Sequence, residues 1–366
     1  MTNGSVRAET VGSLLRPERL RAIRQAVRAG QATVEDLRRA EDEAVLAAIA
    51  LQEEVGLDVI TDGELRRRSW APTGDAFRGF TLVPGGAGWR WQGTARASEF
   101  DTMPYPFVTE PVELAHDLAQ EEYAFLKAHA RARTKFCLPA PSYHRTFWHP
   151  AYSRAAYPTV ESFLQVMRDG IRALVERAVA LGCDYVQLDA PNYGFACDPD
   201  LRRAMAAQGR DLAADLEFDA ELDSSVFDGL VGVTRALHIC RGNAAGNWAA
   251  SGGYEAVAPR LFPRLRVDRL LLEFDTPRAG GYEALRSVPA DMTVVLGLLT
   301  TKSGALEPVP ALEARIREAA AFVPLERLAL SPQCGFASVA SGNPLTPAEQ
   351  EAKLRRVVEV ARRIWR

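Results

Sequence analysis

Short apolar runs followed by turn residues recur eight times along the chain, and each has the length of one buried strand. Amphipathic stretches of helical period, rich in Ala, Arg, Glu and Leu, lie between most of these runs. Strand alternating with helix predicts a parallel sheet with right-handed crossovers. The predicted strands are Glu9–Leu14, Leu57–Ile60, Lys135–Leu138, Tyr185–Leu188, Leu230–Ile239, Arg269–Phe274, Thr293–Leu299 and Leu328–Leu330.

The helical stretches carry recognisable start signals. Thr33 with Asp36 is typical of an N-cap followed by an acidic first turn, and Thr346 precedes a proline at the first helical position. The main predicted helices are Pro17–Ala29, Thr33–Val55, Val112–Ala132, Thr159–Leu181, Asp198–Asp219, Leu306–Ala321 and Thr346–Ile364.

Eight strand–helix units predict a closed (β/α)8 TIM barrel, with an open doubly wound sheet as the alternative. Residues with chemically useful side chains fall at or just past the predicted strand ends: Ser13, Glu64, Asp189, His238, Cys240, Glu273 and Cys334. In a barrel those ends meet at one mouth, whereas in an open sheet they would lie far apart. We therefore predict a barrel. Because no repeat or low-complexity linker interrupts the sequence, residues 1–366 are expected to form one domain.

One segment, Gly79–Pro111, exceeds the usual loop length and is rich in glycine, proline and aromatic residues. It follows the second predicted strand, so we expect an insertion that folds over the barrel mouth and forms part of a lid. The alternative is that its aromatic residues only pack a loop onto the rim.

Composition excludes several classes of protein. The chain is 47% hydrophobic and 25% charged, as expected of a globular protein, and its net charge of −3 gives no basis for binding nucleic acid or an anionic membrane. No apolar stretch reaches the length of about eighteen residues that a membrane span needs. The N-terminus lacks the features of a signal peptide, and five cysteines argue for a reducing cytoplasm rather than a disulfide framework. The sequence is compatible with a homodimer, but it contains no feature that specifies the oligomeric state.

A metal site is the strongest chemical candidate. His238 and Cys240 are two residues apart, so on a strand their side chains leave the same face. Imidazole and thiolate are preferred zinc ligands, although one packed cysteine and one hydrogen-bonded histidine would give the same pattern. Glu273 ends an apolar run, where its charge needs compensation, and Cys334 follows another such run. The four residues together form a candidate tetrahedral Zn²⁺ site.

With these residues placed, the chain resembles the catalytic barrel of cobalamin-independent methionine synthase, and more closely the short single-barrel bacterial homologues. The most specific matches are the segment 238–243, Glu273 and the segment 330–336. The resemblance implies that His238, Cys240, Glu273 and Cys334 bind a catalytic zinc ion. It also implies that Ser13, Glu64 and Asp189 hold the amino acid part of homocysteine.

The chain also departs from the family pattern. It is expected to lack the second, N-terminal barrel, and the Asp-Glu-Pro motif reads Asp189-Ala190-Pro191. The family histidine that donates a proton towards the folate is absent from the matching segment 298–302, which ends in Lys302. Thiol activation is therefore expected to be retained, while the methyl donor is either methyltetrahydrofolate or a compound without folate.

The function predicted from the sequence is that of a zinc-dependent methyltransferase that methylates a thiol, with homocysteine giving methionine. Zinc would serve by removing the thiol proton and fixing the sulfur for attack. One alternative is a zinc-dependent alkyltransferase or lyase of the epoxide-opening coenzyme-thiol type. Another is a non-catalytic barrel in which zinc only cross-links strands. The substrate-binding triad Ser13, Glu64 and Asp189 favours an amino-acid thiol over a sulfonate thiol.

Overall fold

The structure is a computed structural model that describes residues 6–86, 89–94 and 96–365. Residues 1–5, 87, 88, 95 and 366 lie outside it, so the expectation about the N-terminus and part of the predicted insertion do too. The fold is mixed α/β with a parallel sheet. The strands are β1 Val59–Ile60, β2 Phe77–Val83, β3 Tyr105–Leu114, β4 Arg133–Thr134, β5 Phe136–Pro139, β6 Tyr185–Asp189, β7 Thr234–Ile239, β8 Arg269–Glu273, β9 Thr293–Leu299 and β10 Leu328–Pro332.

The largest sheet among the described residues has six strands in the order β10-β9-β8-β7-β6-β5, and all neighbours in it are parallel. A second parallel pair joins β1 to β4. The first predicted strand makes only isolated bridges, from Ala8 to Leu330 of β10 and from Glu9 to Val59 of β1. That segment therefore pairs with β10 on one side and with β1 on the other.

Helices connect most of these strands, and none in the described part of the chain is long and apolar enough to cross a membrane. Thr33 and Thr346 both form the reciprocal capping hydrogen bonds expected at a helix start. The helices are α1 Glu18–Arg28, α2 Val34–Val55, α3 Thr73–Ala76, α4 Ala97–Asp101, α5 Ala124–His129, α6 Pro150–Ser153, α7 Val160–Ala180, α8 Pro191–Phe195, α9 Pro199–Ala207, α10 Leu212–Ser225, α11 Ala258–Leu261, α12 Val309–Ala319 and α13 Pro347–Ile364.

Two predicted helices were wrong in part. The start of Val112–Ala132 is extended, because β3 pairs antiparallel with β2 as far as Leu114. The stretch Asp198–Asp219 is divided into α9 and α10, because Gly209 has a positive φ of 78° and Asp211 caps a new helix.

The predicted insertion Gly79–Pro111 lies within the antiparallel hairpin β2–β3 and its connection. Trp89 and Trp91, in the connection between its strands, pack against Phe195, Ala249 and Ala250, which follow β6 and β7. The backbone of residue 92 also pairs with that of residue 248. The insertion is therefore held against the carboxyl ends of the parallel strands.

A charged cluster fills the interior between the strands. Glu9 lies 2.9 Å from the Lys135 ammonium and 2.7 Å from the Arg269 guanidinium, and it accepts a 2.8 Å hydrogen bond from the Tyr185 hydroxyl. All four side chains are buried. Burial alone would raise the pKa of Glu9, but Lys135 and Arg269 lower it to about 2. The cluster ties the first segment of the chain to β6, to β8 and to the residue between β4 and β5.

We expect Glu9→Gln to lower the free energy of unfolding by about 3–5 kcal/mol, because it leaves two buried cations without their anion. Urea denaturation followed by circular dichroism measures the change. Glu43→Gln, in an exposed pair with Arg19, is the matched control and should have little effect. The depressed pKa means that the Glu9 contribution is present above about pH 4.5 and is lost as the pH falls towards 2. Equal urea midpoints for Glu9→Gln and the wild type would contradict this assignment.

Candidate active site

Three metal-ligand side chains meet where β7 and β10 end. His238 lies on β7, Cys240 follows that strand, and Cys334 follows β10. One ligand atom from each lies within 4.8 Å of the other two, and all three residues are buried. The spacing of two along β7 brings the imidazole and the first thiol to the same side, as the alternation of a strand requires.

Hydrogen bonds fix the His238 ring on both edges. Its Nδ1 lies 3.1 Å from the Oδ1 of Asp189, and its Nε2 lies 3.1 Å from the backbone oxygen of Gln333. Both partners only accept hydrogen bonds, so each of these contacts calls for a proton on the ring nitrogen. Burial lowers the pKa of His238, but the hydrogen bond and the charge of Asp189 outweigh burial and raise it. Gln187 in turn donates a 2.7 Å hydrogen bond to Asp189 Oδ1.

The two thiols of the group titrate differently. A hydrogen bond from Cys240 lowers the pKa of Cys334 to about 6, with further contributions from His238 and Lys302. The same hydrogen bond, together with burial, raises the pKa of Cys240. Cys334 is therefore largely a thiolate at neutral pH, and Cys240 keeps its proton until a cation replaces it.

Glu273, the fourth predicted ligand, lies outside this group of three. Its Oε2 accepts a 2.6 Å hydrogen bond from the Arg241 amide, and its Oε1 is paired with Arg278 and lies 3.2 Å from the Lys302 ammonium. Burial would raise the pKa of Glu273, yet Lys302, Arg278 and Arg241 hold it well below the usual value. Its carboxylate is thus neutralised by protein cations in this arrangement.

The donor set fits zinc. Two thiols and one imidazole are the soft and borderline ligands that Zn²⁺ prefers, and a carboxylate from Asp189 orients the histidine as in many zinc sites. Three ligands in a buried group leave a fourth position for another protein group or for a substrate sulfur.

Glu64 has the least satisfied polar side chain near this group. Its backbone has a positive φ of 54°, which is rare for a residue other than glycine. Its carboxylate lies so close to Gly12 that a Cβ there would come within 2.4 Å of Oε1. Burial raises the pKa of Glu64 to about 8, although Arg67, 4.0 Å away, opposes the shift. Among the described atoms its Oε2 is buried without a hydrogen-bond partner, and the Glu64 side chain lines a cavity.

A cavity of about 370 Å³ joins these features. The predicted substrate residues Ser13, Glu64 and Asp189 line it together with His238, Cys240 and Cys334, whereas Glu273 does not. Its volume is within the range of small-molecule sites, roughly 300–1,000 Å³.

The sequence did not identify the other cavity-lining residues. Trp70 and Tyr143 pack with tilted rings whose centres are 4.7 Å apart, and Trp91 approaches Gly242, where a Cβ would lie 3.1 Å from the indole. Asn243 donates to the Gly335 carbonyl at 3.1 Å, and its own Oδ1 is buried without a partner among the described atoms. The aromatic composition of the insertion and the motif around His238 were the available signals.

The sequence matches a known protein family over most of its length. The family model for the catalytic domain of cobalamin-independent synthase covers residues 7–363. An uncharacterized protein of Bacillus subtilis, YxjH, is 36% identical over 98% of this chain and 95% of its own length. A methionine synthase of Saccharolobus solfataricus is 24% identical over 89% of this chain and 86% of its own length.

Solved structures give the same result. A putative vitamin-B12-independent methionine synthase from Listeria monocytogenes has a TM-score of 0.72 and 27% identity, with 98% of each chain covered. A B12-independent methionine synthase from Shewanella sp. W3-18-1, in complex with selenomethionine, has the same fold, with a TM-score of 0.72, 20% identity and coverage of 98% of this chain and 97% of that one. The chain therefore belongs to the cobalamin-independent methionine synthase family, and it is a methyltransferase of that family's catalytic-domain type.

Proposed function

We propose that the protein is a zinc-dependent homocysteine S-methyltransferase that forms methionine. The observation that carries the proposal is the single cavity that exposes His238, Cys240 and Cys334 beside Glu64 and Asp189. A metal-ligand group and an acceptor for an ammonium group thus line the same cavity, where one small molecule can contact both. Family membership supports methyl transfer to a thiol in general.

We also propose that the parallel strands close into a (β/α)8 barrel that forms one catalytic domain over residues 1–366. The bridges of Ala8 and Glu9 support closure, because they link β10 to β1 through the first segment of the chain. β1 pairs with β4, and only Lys135 separates β4 from β5 of the six-stranded sheet.

The cysteines are free, which supports a location in the reducing cytoplasm.

The ligands proposed for Zn²⁺ are His238, Cys240, Cys334 and, as predicted from the sequence, Glu273. Bound there, zinc would lower the pKa of the substrate thiol so that the thiolate predominates at neutral pH. Asp189 holds the His238 ring in position through Nδ1. Glu273 would have to exchange its ion pairs with Arg278 and Lys302 for the metal. Of the four proposed ligands it is therefore the one with the least structural support.

The amino acid part of homocysteine is assigned to Glu64 and Ser13, which line the same cavity. The unpartnered Oε2 of Glu64 can accept a hydrogen bond from the substrate ammonium. Ser13 accepts a 3.3 Å hydrogen bond from the Ala337 amide, so its hydroxyl proton is available to the substrate carboxylate. No lysine or arginine is among the described residues that line the cavity, which disfavours a sulfonate thiol as the substrate.

Assaying the zinc-loaded protein with homocysteine and a panel of methyl donors tests the proposal. The panel contains methyltetrahydrofolate, its triglutamate, S-methylmethionine and methylcobalamin, each with an isotopically labelled methyl group. We expect labelled methionine from at least one donor, detected by mass spectrometry. Mercaptoethanesulfonate in place of homocysteine is the matched control and should react poorly. Absence of labelled methionine with every donor, in folded protein that holds zinc, would refute the function.

A further inference from the structure

Aromatic side chains line the cavity that also contains the metal-ligand group. The insertion supplies Trp89 and Trp91, and Trp89 packs on Tyr105 and Phe195 with ring centres 5.5 and 5.1 Å apart. Trp70 lines the cavity together with Tyr143, its tilted ring partner. These contacts support the rings, which form the aromatic part of the cavity wall.

Acidic groups line the same cavity, and the His238 ring is its one cationic side chain among the residues with described positions. Glu64, Asp189 and the two cysteines line it, whereas no lysine or arginine does so in the described part of the chain. The residues of the insertion that fall outside the description are Ala87, Gly88 and Ala95, none of which is a cation. The nearby Lys302 is directed at Glu273 and Asp275. A ligand in this space meets aromatic rings and acidic groups.

We propose that this aromatic part of the cavity binds a methyl donor of the sulfonium class, a small molecule with a cationic sulfur and no polyanionic tail. The inference rests on the proposed homocysteine methylation and specifies the second substrate of that site. Indole and phenol rings attract cations through the negative potential of their faces, most strongly when water is excluded. At 370 Å³ the cavity is also at the small end of ligand sites, which favours a compact donor.

The chemistry of a sulfonium matches the groups present. The homocysteine thiol first releases its proton to solvent. The thiolate sulfur then attacks the methyl carbon, forming the new carbon–sulfur bond of methionine. The carbon–sulfur bond of the donor breaks, and its electron pair stays on the departing sulfur, which leaves as a neutral thioether. The thiolate anion and the sulfonium cation react to give two thioethers with uncharged sulfur, so no general acid is needed.

A polyglutamylated folate would make different demands. Its amine leaving group needs a proton from a general acid, and its glutamate tail needs cationic partners. His144 does not line the cavity; it is buried against Thr73 and backbone oxygens. His149 is also outside the cavity lining, and there it accepts a hydrogen bond from the Ala151 amide. Neither histidine is placed to supply that proton.

Isothermal titration of the zinc-loaded protein with two ligands of the same shape tests the inference directly. S-methylmethionine carries a dimethylsulfonium group, and 5-methylnorleucine carries an uncharged isopropyl group in its place. We expect the sulfonium to bind about tenfold more tightly to the wild type. In Trp89→Leu and Trp91→Leu the preference should fall to about twofold, and Trp→Phe at either position should restore most of it. Trp365→Leu, distant from the cavity lining, is the control and should keep the wild-type ratio.

Turnover separates this inference from the proposed function. The expected order of kcat/KM with homocysteine is S-methylmethionine above methyltetrahydrofolate triglutamate. Equal binding of the two isosteres, or a ratio that survives both leucine variants, would overturn the cation site. If the protein forms methionine efficiently from methyltetrahydrofolate triglutamate and binds the two isosteres equally, only the sulfonium donor class is overturned. No methylation from any donor would overturn the donor role together with the proposed function, even if the binding preference remained.

Discussion

Cys240→Ser and Cys334→Ser are each expected to bind zinc at least about 100-fold more weakly and to lose methyl transfer in proportion. Apparent zinc-binding free energies of roughly 10–16 kcal/mol, divided among four ligands, make each ligand worth about 3 kcal/mol. A serine hydroxyl does not deprotonate readily enough to replace a thiolate. The measurement is zinc per chain after dialysis against a chelator, with circular dichroism to verify the fold.

Cys183→Ser is the matched control, since Cys183 is buried but bonds only within the protein, to the Tyr185 carbonyl. It should retain zinc. Glu273→Gln provides a further comparison. If the carboxylate remains with Lys302 and Arg278, this variant will lose less zinc than either cysteine variant. Full zinc occupancy in both cysteine variants would exclude the proposed site.

Glu64→Gln should raise the KM for homocysteine by about 10- to 100-fold and change kcat much less. The variant loses the charge of a hydrogen bond to the ammonium group, worth roughly 1.5–3 kcal/mol. 4-Mercaptobutanoate, which is homocysteine without its amino group, is the matched substrate and should react equally with both proteins. A KM that rises equally for both thiols would show that Glu64 acts on something other than the ammonium.

The pH dependence follows from the same residue. Only the carboxylate form of Glu64 attracts an ammonium group, and burial raises its pKa to about 8 in the free protein. The kcat/KM for homocysteine, divided by that for 4-mercaptobutanoate, should therefore fall as the pH decreases below 8. The ratio removes the titration of the thiol itself. In Glu64→Gln it should be flat over this range.

The sequence was sufficient for seven of the eight predicted parallel strands and for three metal-ligand side chains that lie together. Strands such as Arg269–Glu273 are buried on both faces, so continuous apolar runs identify them. His238 and Cys240 follow from their spacing on one strand. The helix predicted from Val112 was wrong at its start because pairing with β2 decides the conformation of that segment. Local pattern carries no information about such a partner.

The surroundings of the site depended on tertiary contacts. Glu273 was recognised as a charge that needs compensation, but the sequence does not show that Arg278 and Lys302 provide it. The aromatic residues of the insertion were visible, yet their placement beside Phe195 depends on how a long connection folds back. Asp189 was assigned to the substrate alone, and its hydrogen bond to His238 appears only in three dimensions.

In the proposed enzyme, that hydrogen bond would link metal retention to substrate recognition thermodynamically. Asp189 lines the cavity and also holds the Nδ1 edge of His238, so an ammonium group drawing on its charge changes the basicity of the ring. Linkage is reciprocal, so the factor by which the amino acid alters zinc affinity equals the factor by which zinc alters amino acid affinity. Homocysteine supply would thus set how firmly the enzyme keeps its metal when zinc is scarce.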